Sequence, residues 1–155
     1  MKSIKKSVLI GYSCQEMYDL VIDAESYPQF IPWCSSAEIL ERYPDGLLAR
    51  LGMSISGFQQ KFTTRTHHEP GKLVTIDLVE GPFSTLHCKW EFMPLPATPP
   101  ATEPPRACRI NFSTNYDFAS KPLEMIIGMV FNKMMDTFVD AFIKRAEVIY
   151  GKSSI

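Results

Sequence analysis

Four cysteines and three histidines are the residues of this chain best suited to metal binding or thiol chemistry. No two cysteines form a Cys-x-x-Cys pair, and the spacing of the set does not match a zinc site. We therefore expect no metal site and four reduced thiols, mostly buried as small hydrophobic groups. The residues are Cys14, Cys34, Cys88, Cys108, His67, His68 and His87.

General acid–base catalysis would need a titratable side chain in a dry site, usually beside a partner. The chain contains neither a Ser/His/Asp arrangement nor paired carboxylates at a useful spacing. His68, which precedes Glu69 and Pro70, is predicted to lie at the exposed end of a strand, and His87 on a solvent-facing side. We expect no catalytic residues, so an enzyme is the class that the sequence supports least.

The composition indicates a single globular domain spanning residues 1–155, with 45% hydrophobic and 21% charged residues. The 16 basic and 17 acidic residues give a net charge of −1. Because the chain lacks the broad positive field of nonspecific nucleic-acid binders, we expect no DNA partner. No apolar stretch reaches the ~18 residues of a membrane span, and no signal peptide is recognisable, which predicts a cytoplasmic protein.

Strict alternation of apolar and polar residues identifies two strands, over residues 84–93 and 108–118. A period of two with one polar side is typical of antiparallel strands that cover a core. Weaker alternation upstream, divided by turn residues such as Pro44-Asp45-Gly46 and Gly81-Pro82, brings the total to about seven strands. The two apolar sides carry Leu86, Cys88, Trp90, Phe92, Cys108, Ile110, Phe112, Tyr116 and Phe118.

Six of the twelve prolines fall within residues 94–105, between the two clearest strands. Proline cannot donate to a strand ladder and interrupts a helix, so this segment is predicted to be an extended, mobile loop. The two strands that it joins would form a hairpin.

Helices are predicted at two places. Ser13-Cys14-Gln15-Glu16 has the spacing of a capping box and begins a short helix. At the other end, apolar residues recur every three to four positions, which predicts one continuous helix over residues 123–150. Residues 125–131 carry no charge on any side of this helix, so they either pack on both sides or contact an apolar ligand.

This order of elements is similar to the START-like helix-grip fold, and three motifs strengthen the resemblance. Tyr27-Pro28-Gln29-Phe30-Ile31-Pro32-Trp33-Cys34 resembles the Tyr-Pro-x-Phe-hydrophobic-Pro-Trp-Cys signature of the coenzyme Q-binding START-like family. Leu78-Val79-Glu80-Gly81-Pro82-Phe83 resembles that family's second block, and Phe62-Thr63-Thr64-Arg65 its bacterial branch named for ribosome-association toxins. The fold expected is α+β, a curved antiparallel sheet of about seven strands around a long C-terminal helix.

The resemblance implies a non-enzymatic protein that binds ubiquinone or a similar polyprenyl lipid and supports respiratory electron transfer. No further cofactor is implied, and transient contact with the inner membrane surface would accompany lipid transfer. The residues expected to line the lipid cavity are Tyr27, Phe30, Pro32, Trp33, Phe62, Phe83, Trp90, Phe112, Tyr116, Ile127, Phe131 and Met134. Tyr116 and Thr114 are candidate head-group donors, because each lies on an otherwise apolar side; the alternative is a hydroxyl satisfied within the core.

Two other functions are compatible with the same resemblance. The first is a ribosome-association toxin that binds the large ribosomal subunit and blocks subunit joining. Its contact surface would be basic, and the candidates are the cluster Lys2, Lys5 and Lys6 and a second set of Lys61, Arg65 and Lys72. The second is a polyketide cyclase-like enzyme, which the residues favour less.

Overall fold

The computed structural model describes residues 2–95 and 107–151. Within them, seven strands form one antiparallel sheet in the order β1-β7-β6-β5-β4-β3-β2. This confirms the predicted α+β class and the predicted antiparallel sheet. The strands are β1 (Lys2–Ile10), β2 (Cys34–Tyr43), β3 (Gly46–Ile55), β4 (Phe58–Glu69), β5 (Leu73–Glu80), β6 (Phe83–Leu95) and β7 (Ala107–Phe118).

The β6–β7 hairpin forms the centre of the apolar layer, as its alternation predicts. Trp90 is paired with Phe112 and Cys88 with Thr114, so both strands present their buried side chains to the same side of the sheet. Strand β1 continues this pairing on the outer edge of β7, where Ile4 lies opposite Thr114.

The predicted proline-rich loop starts later than expected, because β6 continues through Pro94 to Leu95. Pro94 lies opposite Cys108 of β7. A proline is tolerated there because β5 pairs with β6 only as far as Glu91, so the other edge of Pro94 has no β5 partner. The remainder of the predicted mobile loop lies outside the described residues.

Helix α1 (Cys14–Ile22) begins at the predicted capping box. The Ser13 hydroxyl accepts from the Glu16 amide at 3.0 Å, and the Glu16 carboxylate accepts from the Ser13 amide at 2.9 Å. A 3-10 helix, Ala24–Gln29, follows and contains the first three residues of the Tyr27–Cys34 motif.

The C-terminal segment is two helices, α2 (Lys121–Asp136) and α3 (Phe138–Tyr150), and not the single helix predicted. They are separated by Thr137, whose backbone angles, φ −107° and ψ 10°, are not helical. The Thr137 hydroxyl donates to the Met134 carbonyl at 3.2 Å, a local side-chain bond of the kind that competes with helix continuation. The apolar periodicity runs across this residue and therefore concealed the interruption.

Register irregularities interrupt the strand pairing at four places in the sheet. Register shifts occur twice in β2–β3, once in β4–β5 between Thr63 and Thr64, and once in β6–β7 between Phe83 and Thr85. Such bulges increase local twist and bend a strand. The core lies between the curved sheet and the helices, with Trp90, Tyr116, Phe142 and Ile127 fully buried.

Candidate functional site

A small cavity lies between the curved sheet and α2, with a volume of about 50 Å³. Its wall exposes no polar surface to the empty space. The lining residues are Tyr27, Trp33, Leu51, Phe62, Thr64, Ile76, Phe83, Leu86, Cys88, Phe131, Met135 and Phe138. We call this space the inner cavity.

Aromatic rings form much of the wall of the inner cavity. The Phe83 ring lies 5.3 Å from that of Phe131 and 5.9 Å from that of Phe62, centroid to centroid. The Trp33 ring lies 5.8 Å from that of Phe62 and 6.4 Å from that of Phe138, again centroid to centroid. These are ordinary separations for interacting rings, so the wall is firm and offers flat apolar surfaces to a ligand.

The Tyr27–Cys34 segment holds Trp33 in this wall. The Tyr27 hydroxyl donates to the Val21 carbonyl at the end of α1, and the Phe30 ring packs 5.1 Å from that of Phe142 of α3. Arg145 of α3 lies over the Phe30 ring, with its Cζ 5.2 Å from the centroid, and donates to Gln29 Oε1 at 3.0 Å. The motif therefore contacts both α1 and α3 and connects the two helices.

A larger groove of about 350 Å³ opens on the outer side of Trp33. We call it the outer groove. Trp33 and Phe138 belong to its lining as well as to that of the inner cavity, so these two rings separate the two spaces. The groove is lined by Gln29, Phe30, Ile31, Pro32, Trp33, Met134, Thr137, Phe138, Asp140, Ala141, Lys144, Arg145 and Val148.

The twelve residues predicted to line a lipid cavity divide into three groups. Tyr27, Trp33, Phe62, Phe83 and Phe131 line the inner cavity, and Phe30, Pro32 and Met134 line the outer groove together with Trp33. The remaining four, Trp90, Phe112, Tyr116 and Ile127, are buried and line neither space.

Several cavity residues were absent from the predicted set although the patterns contained them. Leu51, Thr64, Ile76, Leu86 and Cys88 all lie on the predicted apolar sides of their strands. Alternation assigns a residue to a side of the sheet but does not say where along the strand the packing is incomplete. That position depends on the helices above it.

The hydroxyls proposed as head-group donors are already engaged within the protein. Tyr116 donates to Asn132 Oδ1 of α2, and Thr114 donates to the His87 carbonyl at 3.1 Å. Burial raises the pKa of Tyr116, with a smaller contribution from the Asp136 charge. Tyr116 therefore stays protonated and anchors α2 to the sheet, which is the alternative that the sequence left open.

Helix α2 buries one side and exposes the other. Ile127, Gly128, Phe131 and Met135 are buried. Met125 is 85% exposed, Ile126 62%, Met129 86% and Val130 37%. The uncharged run 125–131 is thus not packed on both sides, and four adjacent large apolar side chains face outward.

The cysteine side chains are buried in the core, and His68 and His87 each contact a polar side chain of the protein. All four cysteines are buried, as predicted. The exposed position predicted for His68 is wrong: its ring is half-buried, with Nε2 2.8 Å from Thr66 Oγ1, and burial lowers its pKa. His87 lies on the solvent-facing side as predicted, 2.6 Å from Asp77 Oδ1.

Burial of two thiols predicts that the protein loses stability at alkaline pH. Burial raises the pKa of both Cys34 and Cys88 to about 11, against roughly 8.5 for an unfolded cysteine. Because the folded-state pKa is the higher one, the stabilisation is complete below about pH 8.5 and disappears as pH rises towards 11. Urea unfolding at about pH 8 and pH 10 should therefore show a loss of about 1–2 kcal/mol for each thiol. A Cys88→Ala variant should show a shallower dependence, and an unchanged slope would contradict the assignment.

The basic residues do not all share one surface. Lys5 and Lys89 both lie opposite Ser113 and belong to a groove of about 450 Å³ on the sheet side away from the helices. In the second predicted set, Arg65 is paired with Asp45 at 3.1 Å and Lys72 lies in the turn before β5. Lys72 therefore does not lie on the strand that carries Arg65. The Lys5–Lys89 groove also contains Lys6 and Glu91, and Lys89 Nζ lies 3.6 Å from Glu91 Oε1, so its positive charge is partly compensated.

Within residues 2–95 and 107–151, no three His, Cys, Asp or Glu side chains come close enough together to hold a metal ion. The helices of these residues are too short or too polar to span a membrane.

Comparison with known proteins places these features in a family. The family described as "Polyketide cyclase / dehydrase and lipid transport" matches residues 10–143. The Ribosome association toxin RatA of Escherichia coli is 37% identical over 97% of this chain and 90% of its own length. The mitochondrial Coenzyme Q-binding protein COQ10 homolog B of Xenopus laevis is 25% identical over 97% of this chain and 60% of its own length.

A solved structure supports the same relationship at the level of the fold. The Zhui aromatase/cyclase from Streptomyces sp. R1128 superposes with a TM-score of 0.75, covering 94% of this chain and 93% of its own, at 14% identity. The match of the family over residues 10–143 is the decisive finding. The chain belongs to the polyketide cyclase/dehydrase and lipid transport family.

Proposed function

We propose that this protein binds ubiquinone or a similar polyprenyl lipid between the curved sheet and α2, and carries it without chemical change. The observation that carries the proposal is the wall of the inner cavity, which exposes no polar surface and lies beneath α2, whose residues 125–131 are uncharged on every side. The family description and the name of the Xenopus relative support the same ligand class.

The volume of the inner cavity implies that α2 moves when ligand binds. Ligand sites commonly measure about 300–1,000 Å³, several times the space available beneath α2. Each buried methylene contributes about 0.8 kcal/mol, so burial of several isoprene units would offset the cost of displacing the helix. The exposed apolar side of α2 is suited to a bilayer surface, where lipid would be taken up and released.

Lipid extraction is the direct test of this proposal. The protein purified from its own host should release a polyprenyl quinone or related lipid into organic solvent, detected by mass spectrometry. Purified protein should also bind decylubiquinone with similar affinity at low and high salt, because apolar burial is not screened. Absence of lipid in the extract together with no binding of decylubiquinone would refute the proposal.

The second candidate function is association with the large ribosomal subunit. The name of the Escherichia coli relative favours it, since that protein is similar over nearly all of both chains. The surface proposed for the contact is the groove that contains Lys5 and Lys89. The two functions use opposite sides of the sheet and are compatible in one molecule.

Salt dependence and charge reversal test the second candidate. Binding through phosphates releases counterions, so affinity for purified large subunits should fall steeply as salt increases. A Lys5→Glu/Lys89→Glu double variant should lose this binding, whereas Lys133→Glu on the exposed part of α2 should retain it. Equal binding by both variants would remove the groove from consideration.

A further inference from the structure

Two of the four thiols are in contact with each other. The Sγ atoms of Cys14 and Cys108 lie 2.7 Å apart, although the residues are 94 positions apart in the chain. The other two thiols, those of Cys34 and Cys88, contact oxygen atoms at 3.3 and 3.1 Å. Cys14 and Cys108 are therefore the pair of thiols that the fold brings together.

The positions of β1 and α1 produce this contact. Strand β1 ends at Ile10, which is paired with Cys108 near the start of β7. The chain then turns, and the capping box at Ser13 begins α1 with Cys14 as its first residue. Because α1 packs against β7, Cys14 lies over the strand position at which β1 ended.

The geometry of the pair is close to that of a covalent link. A disulfide bond is about 2.05 Å long and requires two side chains that point towards each other. The side chains of Cys14 and Cys108 meet this condition, and their sulfur atoms need to approach by only about 0.7 Å. Small rotations of the two side chains are enough for such a change.

The two thiols differ in exposure and in acidity. Cys14 is 8% exposed and Cys108 0%, so a small oxidant reaches Cys14 first. Burial raises the pKa of both thiols, while the hydrogen bond between them lowers the pKa of Cys14 and raises that of Cys108. Cys14 is therefore the first nucleophile, and Cys108 is in position to react with the oxidised Cys14.

We propose that Cys14 and Cys108 form a site of oxidative modification, at which a peroxide converts the two thiols into a disulfide that thiol reductants reverse. Neither residue lines the inner cavity or the outer groove. The inference is therefore independent of the proposed function and adds a covalent chemistry to a different part of the fold.

The oxidation takes two steps. The Cys14 thiolate attacks one oxygen of hydrogen peroxide, the O–O bond breaks, and Cys14 becomes a sulfenic acid while the other oxygen leaves as water with the thiol proton. The Cys108 sulfur then attacks the Cys14 sulfur. The S–S bond forms, the S–O bond breaks, and the hydroxyl group leaves as water with the Cys108 proton. Two electrons pass from sulfur to the peroxide, which yields one disulfide and two water molecules.

The disulfide should stabilise the folded protein. It would connect residues 94 positions apart, and a cross-link over a loop of this length strongly restricts the unfolded chain. The midpoint of thermal unfolding should therefore rise by about 10 °C after oxidation and return to its original value after reduction with dithiothreitol.

Peroxide treatment of the purified full chain tests the proposal. Burial of Cys14 slows the reaction, so the incubation with hydrogen peroxide extends over hours. A thiol-specific reagent in denaturant should then detect two thiols in place of four, and non-reducing peptide mapping should recover Cys14 and Cys108 in one linked fragment. Cys88→Ala removes a thiol outside the pair and should keep the disulfide and the rise in thermal midpoint. Cys14→Ala should lose both.

Wild-type protein alone can overturn the proposal, so the test does not depend on the folding of Cys14→Ala. Retention of all four thiols after peroxide treatment would contradict it, as would a disulfide that links any other pair. Oxidation of Cys14 to a sulfinic acid while Cys108 stays a free thiol would also overturn it, because Cys108 would then be out of reach of the sulfenic acid.

Discussion

Phe131→Asp should prevent the protein from folding. Phe131 is 2% exposed, and the rings of Tyr116, Phe83 and Phe118 surround it at 5.0, 5.3 and 5.7 Å. Removing a buried phenylalanine ring costs about 3–5 kcal/mol, and an unpaired carboxylate in its place adds several more. Since whole domains are stable by only about 5–15 kcal/mol, the variant should lose its cooperative thermal transition and its near-ultraviolet circular dichroism.

The matched control lies on the same helix. Met129 is 86% exposed, so Met129→Asp introduces the same carboxylate into solvent and should leave the free energy of unfolding within about 0.5 kcal/mol of wild type. Under the proposed function it should also weaken binding to lipid vesicles. If Phe131→Asp melts like Met129→Asp, the burial assigned to α2 is wrong.

The sequence alone predicted which side of the central strands is buried, but it did not predict the exposed apolar side of α2. The alternation in β6 and β7 predicted which side of each strand is buried, because pairing in an antiparallel sheet preserves the period of two. The apolar periodicity of the C-terminal segment likewise predicted that Ile127 and Phe131 face the cavity, and both are buried. Because residues 125–131 carry no charge, the sequence did not show that Met125, Ile126 and Met129 are exposed.

The candidate site was predictable in composition but not in detail. Trp33, Phe62 and Phe83 belong to the motifs of the family resemblance and Phe131 to the apolar periodicity of the C-terminal helix, and the four residues lie together. The hydrogen bond between Tyr116 and Asn132 joins residues sixteen positions apart, on different elements. No local pattern reports such a pair.

Gly81→Ala should be the second most damaging of these changes. A Cβ at position 81 would lie 2.5 Å from Phe62 Cβ and 3.4 Å from Phe62 Cα. Phe62 cannot move away easily, since its strand β4 lies between β3 and β5 and Phe62 itself is paired with Leu51. The chain connecting β5 to β6 must shift, and overpacking of this kind costs about 3 kcal/mol in urea unfolding. The shifted connection should also alter ligand affinity, because it leads directly into Phe83, which forms part of the cavity wall.

A second glycine provides a control with the opposite expected sign. In Gly128→Ala the new Cβ would lie 3.3 Å from the flexible Glu124 side chain, which can shift slightly, and 3.7 Å from the Phe118 ring, an ordinary van der Waals contact. Alanine in a helix interior is favoured over glycine by about 1 kcal/mol, so this variant should be more stable than wild type. A stiffer α2 should also take up and release decylubiquinone more slowly, if displacement of this helix limits the exchange. Stopped-flow exchange rates at matched affinity would measure this, and rates equal to wild type would argue that ligand reaches the inner cavity without moving α2.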